Sequence, residues 1–197
     1  MIQSKKDLKF YLLCDEIACD YGHKKINKLL HTHEWRFHIA LRKCEYYLNC
    51  RKNPLGRLMY LYYRYRLRQC TFKTGWTVPP NTFGPGLCIV HIGTVVVHGR
   101  VRAGANCRIQ ACVNIGASGG KKEAPSFGDN IYIAPGAKIF GDIQIASGVA
   151  IGANAVVNKS FLDENITIAG IPAKKISDKG SAAMSKDAVK IAMEHMK

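Results

Sequence analysis

FGDNIYIAPGAKIFGDIQIASGVAIGANAVVNKSFL, Phe127–Leu162, is the stretch that decides the fold. Cut into sixes it reads FGDNIY, IAPGAK, IFGDIQ, IASGVA, IGANAV, VNKSFL, and every hexad opens on an apolar residue: Phe127, Ile133, Ile139, Ile145, Ile151 and Val157. Four places after each opener stands a second apolar or small residue: Ile131, Ala137, Ile143, Val149, Ala155 and Phe161. A helix repeats its faces every 3.6 residues and a strand every 2, so neither yields a strict six. A chain that turns a corner every six residues does, with one short strand and one tight turn per hexad and about eighteen residues per triangular coil. The opener then points into the prism, where β-branched Ile and Val suit stacked extended backbone. Small residues often follow the opener, as at Gly128, Ala134, Ala146 and Gly152, where the backbone must bend close to the next coil.

The same phase extends upstream through Val97, Ala103, Ile109 and Ile115, and it breaks twice. Between Ile115 and Phe127 the segment ASGGKKEAPS offers no apolar opener at position 121, which predicts a loop over 117–126 that leaves the coil and returns. Ile89 stands two residues out of phase with Val97, which predicts a bulge in VHIGTVVVHG. Bulges and ejected loops on a regular scaffold are where function concentrates.

Residues 1–75 lack the hexads. Leu8, Tyr11, Leu12, Ile17 and later Trp35, Ile39, Arg42, Tyr46 follow helical spacing, Asn53-Pro54 separates a further helical run, and Gly75 ends it. Three or four helices are therefore expected before a repeat domain at 76–176, with a polar tail and short helix at 177–197. Their roles would be to cap the prism, to join subunits or to shape the acceptor site. The helical part carries 16 Lys or Arg against 6 Asp or Glu, ten of the chain's fifteen net positive charges, and is densest at LYYRYRLRQC. A solvated helix face is one explanation; contact with an anionic membrane surface or an anionic glycan is another. Nucleic acid is the weakest, because no nucleic-acid-binding signature accompanies the patch.

No signal-peptide pattern opens the chain and no run of about eighteen apolar residues occurs, so a cytoplasmic protein is expected. The eight cysteines (14, 19, 44, 50, 70, 88, 107, 112) contain no CxxC pair, which favours reduced thiols over disulfides and gives no reason to expect a metal.

The hexads, GPGLCIVHIGTVVVHG and the closing AGIPAKKI together resemble the hexapeptide-repeat acyltransferases, in the branch of the serine O-acetyltransferases and the O-acetyltransferases of capsule and exopolysaccharide clusters. The likeness covers about residues 77–176, and the helical N-terminus followed by FGPGL looks more like the polysaccharide enzymes. It implies a left-handed parallel β-helix, usually a homotrimer, that uses acetyl-CoA without a metal. His91, within VHIGT, matches the family's general base. An alcohol is a poor nucleophile near neutral pH, and an imidazole can take its proton as it attacks the thioester. His98 is a weaker candidate at an outward corner, while His23, His31, His33, His38 and His195 are expected to be surface or packing residues. Counting by eighteen places Gly116, Ala134, Gly152 and Gly170 on one edge, where small corners would leave backbone N–H groups open to the pantetheine arm. Lys174 and Lys175 would meet the CoA phosphates. Where the serine enzymes carry an aspartate before the base this chain has Val90, and Ala124 stands in place of a loop histidine. These departures favour a sugar hydroxyl of a capsule or exopolysaccharide as acceptor; serine is the alternative, and a non-catalytic scaffold a third possibility. A single prism is convex, so the cleft would need a neighbouring subunit.

Overall fold

The computed structural model describes residues 1–21, 32–120 and 122–196. His23 and His31 lie outside these residues. Among the described residues three helices come first: α1 (Lys5–Ala18), α2 (Thr32–Cys50) and α3 (Pro54–Thr74). Ser4 caps α1 by accepting the Asp7 N–H, and Asn53 caps α3 in the same way with Pro54 in the first turn. Gly75 ends α3 at φ 79°, the left-handed conformation that glycine adopts without penalty.

The chain then winds through three sheets. The first contains β1 (Trp76–Thr77), β3 (Val95–Val97), β6 (Val113–Gly116), β9 (Lys138–Phe140) and β12 (Val156–Val157), in that order. The second contains β4 (Arg102–Ala103), β7 (Ser126–Phe127) and β10 (Gln144–Ile145). The third runs β2 (Cys88–Ile89), β5 (Arg108–Ile109), β8 (Tyr132–Ile133), β11 (Ala150–Ile151), β13 (Thr167–Gly170) and β14 (Ala173–Ser177). All pairings are parallel except the closing β13–β14 hairpin. Successive strands visit the sheets in rotation, so each coil supplies one strand to each side.

The hexad openers are the core. Val97, Ile109, Ile115, Phe127, Ile133, Ile139, Ile145, Ile151 and Val157 are all buried, as are Ile131, Ala137, Ile143, Val149 and Ala155. Both breaks in the period occur where expected. Ile89 pairs with Ile109, twenty residues on rather than eighteen, and the two extra residues fall in the corner at His91–Thr94. Ile115 pairs with Ile139 and Ala103 with Phe127, each twenty-four residues on, because β6 ends at Gly116 and β7 starts only at Ser126.

The helices are bolted to the first coil. Asp15 on α1 and Arg42 on α2 are fully buried, with Arg42 Nε and Nη2 donating to the Asp15 carboxylate at 2.8 and 3.1 Å. Asp15 Oδ1 also accepts the N–H groups of Gly86 and Leu87, both at 3.0 Å. Arg42 donates to the carbonyls of Phe83 and Gly84 at 3.0 and 2.7 Å, and to Glu45 at 3.0 Å. His38 Nδ1 lies 3.3 Å from Asp15 Oδ2. Burial alone would lift the Asp15 carboxyl, but the Arg42 guanidinium and His38 outweigh it and hold it below the usual carboxylate range. The tail returns to the same place: α4 (Ala188–His195) packs Ala188 and Ala192 against Cys14 and Ala18 of α1 and Cys88 of β2.

All eight cysteines are free thiols. Burial pushes Cys14 up to about 12 and Cys44 to about 11, so both stay protonated and serve as small core residues. No helix among the described residues is long and apolar enough to cross a membrane.

Candidate active site

His91 occupies the bulged corner between the third and first sheets, and its side chain is exposed. Its backbone is held from several directions. Val90 N–H donates to the Ile109 carbonyl at 3.0 Å, Gly93 N–H to Thr74 at 2.9 Å and Val95 N–H to Gly75 at 3.1 Å. The Trp76 indole N–H donates to the His91 carbonyl at 3.2 Å. Trp76 is itself buried and stands edge-on to Phe37 of α2, ring centroids 5.1 Å apart. A Cβ at Gly75 would lie 2.8 Å from the Gly93 carbonyl oxygen, so glycine is required there by close approach as well as by φ. The last turn of α3 therefore mounts the His91 corner.

Below this corner runs an edge of mostly small residues. Ile89, Ile109, Ile133, Ile151 and Ile168 pair in series, so the residues after them, Val90, Gln110, Ala134, Gly152 and Ala169, form the edge. Four coil steps of about 4.8 Å make it roughly 19 Å long. Lys174 faces Ala169 across the closing hairpin and so stands at the foot of this edge, with His91 at its head.

The expectation that Gly116, Ala134, Gly152 and Gly170 share one edge is corrected by the register. Counting by eighteen fails across the ejected loop, which adds six residues, and again in the last coil, where Ile151 pairs with Ile168. Gly116 pairs with Phe140, beside His98, on the edge between the first and second sheets. Gly170 lies one place past the edge, in the exposed turn of the hairpin at φ 104°. Ala134 and Gly152 do share the edge, but their N–H groups already donate to the Ile151 and Ile168 carbonyls at 2.9 and 2.8 Å, and Ala134 is buried. They are small for packing: a Cβ on Gly152 would lie 2.7 Å from that of Ala169.

The lysine pair divides. Lys175 Nζ is 2.6 Å from Asp178 and 3.8 Å from Asp163, and the Asp178 contact raises its pKa. Lys174 is exposed and forms no ion pair among the described residues. His98 accepts the Arg100 N–H on its Nδ1 at 3.3 Å and shares the edge from which the 117–125 loop departs. Within one chain, His91 and that loop are thus on different edges with the first sheet between them.

Sequence spacing places Arg42 on a helix and His38 among packing residues, and it gives no sign that they meet Asp15 and Glu45 in one buried cluster. His38 is fully buried within that cluster, beyond the packing role expected of it. The available signal was the spacing of His38, Arg42 and Glu45, which puts three polar residues on one helix face beside Leu41 and Phe37.

No family model matches the chain. In sequence it is 38% identical over 112 residues to the serine acetyltransferase of Staphylococcus epidermidis and, over the same length, to that of Staphylococcus aureus; the match takes in 55% of this chain and 52% of each relative. The chain therefore spans about half the length of the curated relatives it matches. In fold it is similar to a serine acetyltransferase solved with CoA (TM-score 0.69, 22% identity, 87% of this chain and 71% of that one). It is also similar to the Brucella abortus serine acetyltransferase in complex with coenzyme A (TM-score 0.67, 22% identity, 89% and 68%). The Neisseria gonorrhoeae enzyme compares at TM-score 0.65 and 26% identity, over 87% of this chain and 65% of that one. The relatives and solved structures named above are all serine acetyltransferases.

Proposed function

We propose that the chain is an acetyl-CoA-dependent O-acetyltransferase built on a left-handed parallel β-helix, with His91 as general base. The observation that carries this reading is an exposed histidine at the head of an edge of mostly small residues whose foot, about 19 Å away, holds Lys174, which has no ion pair among the described residues. CoA is an extended molecule with a thioester at one end and phosphates toward the other, and it fits such an edge with its thioester at His91. The His91 imidazole takes the proton of the acceptor hydroxyl as the oxygen attacks the thioester carbonyl. The tetrahedral intermediate collapses, the C–S bond breaks, and the imidazolium returns the proton to the departing sulfur. No covalent enzyme intermediate is required.

Serine is the acceptor that the named relatives support best, ahead of a sugar. A sugar hydroxyl of a capsule or exopolysaccharide is the second reading, favoured by two positions. Val90 packs against the cluster formed by α1 and α4, and Ala124 packs on the prism core, so neither offers a charge to an amino acid's ammonium or carboxylate. A cyclic homotrimer would turn the convex edge into a cleft and bring the 117–125 loop of one subunit toward His91 of another.

Incubating the purified chain with acetyl-CoA and either serine or nucleotide sugars, and reading released thiol, tests both acceptors. His91→Ala is expected to abolish release while leaving CoA binding by calorimetry intact. Undiminished turnover by that variant would remove the mechanism, and CoA binding without turnover on any hydroxyl would point to a scaffold.

A further inference from the structure

Helix α3, PLGRLMYLYYRYRLRQCTFKT, contains four arginines and a lysine and no acidic residue over its 21 positions. One side of it, with Gly56, Leu67, Cys70 and Thr74, is buried. At 3.6 residues per turn the opposite side carries Leu58, Leu61, Tyr62, Tyr65 and Phe72, and these are between 46 and 71% exposed. The cations lie along the two flanks of that apolar stripe, Arg57, Arg64 and Arg68 on one and Arg66 and Lys73 on the other. Among the described residues none of them meets a carboxylate. Arg64 and Arg66 donate instead to the phenol oxygens of Tyr60 and Tyr62, at 2.7 and 3.1 Å, and Arg68 lies 5.8 Å from the Phe72 ring centroid. These contacts leave the positive charge uncompensated. Arg64 and Arg68 also line a cleft of about 610 Å³ between α3 and Thr77–Pro80.

We propose that α3 is a docking element that lies flat on an anionic lipid bilayer. Leu58, Leu61, Tyr65 and Phe72 enter the boundary between headgroups and acyl chains, and the flanking arginines extend their heads to lipid phosphates. The apolar stripe selects this occupant over the other polyanions, because leucines gain nothing from a nucleic acid or a soluble glycan, whereas both stripe and flanks are used by a membrane surface. The charges select it over a second copy, because pairing this face with itself would set two acid-free cationic flanks against each other. The docking stands on α3 alone and does not depend on the acetyl-transfer reading.

The test is co-sedimentation of the full chain with vesicles of phosphatidylcholine alone and of phosphatidylcholine mixed with phosphatidylglycerol. Partition into the anionic vesicles is expected to exceed that into neutral ones by at least about tenfold and to weaken as salt rises. Replacing Arg57, Arg64 and Arg68 together by Gln should lower the partition about a hundredfold, roughly fivefold per charge. L58S/Y65S/F72S should abolish it; all six positions are exposed, and circular dichroism confirms that each variant is folded. Equal partition into both vesicle types, no binding to either, or undiminished binding by both variants would overturn the proposal. So would self-association, or retention on RNA or heparin, that depends on these residues while the vesicles remain unbound.

Discussion

Replacing Arg42 by Met should destabilise the protein by about 3–5 kcal/mol, the range for breaking a buried ion pair on one side. Two features of the structure place the effect at the upper end. Both carboxylate oxygens of Asp15 and the whole Arg42 guanidinium are buried, so the remaining carboxylate would be left uncompensated in the interior. Arg42 also satisfies the carbonyls of Phe83 and Gly84, each of which would lose a partner. A buried ion pair can often be exchanged for apolar residues with little loss, but here the pair serves the backbone of the first coil. The double variant Asp15→Leu/Arg42→Met should therefore remain well below the parent in stability, because the N–H groups of Gly86 and Leu87 and the two carbonyls have no other partner in this cluster. Urea unfolding followed by tryptophan fluorescence suits the measurement, since Trp76 is buried beside Phe37 at this junction. The pH dependence has a definite sign. The folded Asp15 carboxyl titrates below its unfolded value of about 3.9, so its contribution is complete above that pH and is lost as pH falls toward the lower, folded value. A loss smaller than about 1 kcal/mol for Arg42→Met, or a double variant as stable as the parent, would refute the idea that this cluster fastens the helices to the coil.

Lys174→Ala should raise KM for acetyl-CoA about fivefold and leave KM for an acetyl-pantetheine lacking the ADP portion unchanged, the scale expected of one exposed charge pair. Lys175→Ala should change it less, because Lys175 is already engaged by Asp178. Cys112 is the exposed cysteine and sits at the corner after Gln110, so it should be the first thiol alkylated in the native protein, and CoA should slow that reaction; equal rates with and without CoA would remove the cofactor from this edge. Gly152→Ala should cost about 1–3 kcal/mol by denaturant unfolding, since its new Cβ would lie 2.7 Å from that of Ala169.

What the sequence disclosed depended on how local the signal was. The hexads reveal the core residue by residue, because an opener pointing into the prism depends only on its own turn and strand. They also disclose both irregularities, since Ile89 and Lys121 break the period in place. Stacking is a longer-range property. An eighteen-residue count puts Gly116 on the wrong edge because it passes through a loop whose extra six residues shift everything upstream of it by one side of the triangle. Small residues at Ala134 and Gly152 suggest open amides by sequence, but each N–H is bonded to the next coil and the small side chain serves coil contact. Lys174 and Lys175 look equivalent in sequence for a similar reason: Asp178 follows both within one strand length and Asp163 precedes both, so only the fold shows that Lys175 is the one they engage.

The Asp15–Arg42 cluster was the least legible part, and it changes what the helical domain does. Asp15 and Arg42 grip Phe83, Gly84, Gly86 and Leu87, just before His91 in the chain, while Thr74 and Gly75 at the end of α3 grip Gly93 and Val95, just after it. Trp76 joins the two grips by donating to the His91 carbonyl and packing on Phe37 of α2, one residue before His38 and five before Arg42. The bulge that exposes His91 is thus clamped on both sides by helices, whereas its imidazole makes no hydrogen bond or ion pair among the described residues. In a regular coil the corner would be held by the coils above and below it. Here only β1 lies above the corner, on its first-sheet side, and the helices supply the rest of the mount, so the basic helices and the irregular corner form one structural unit.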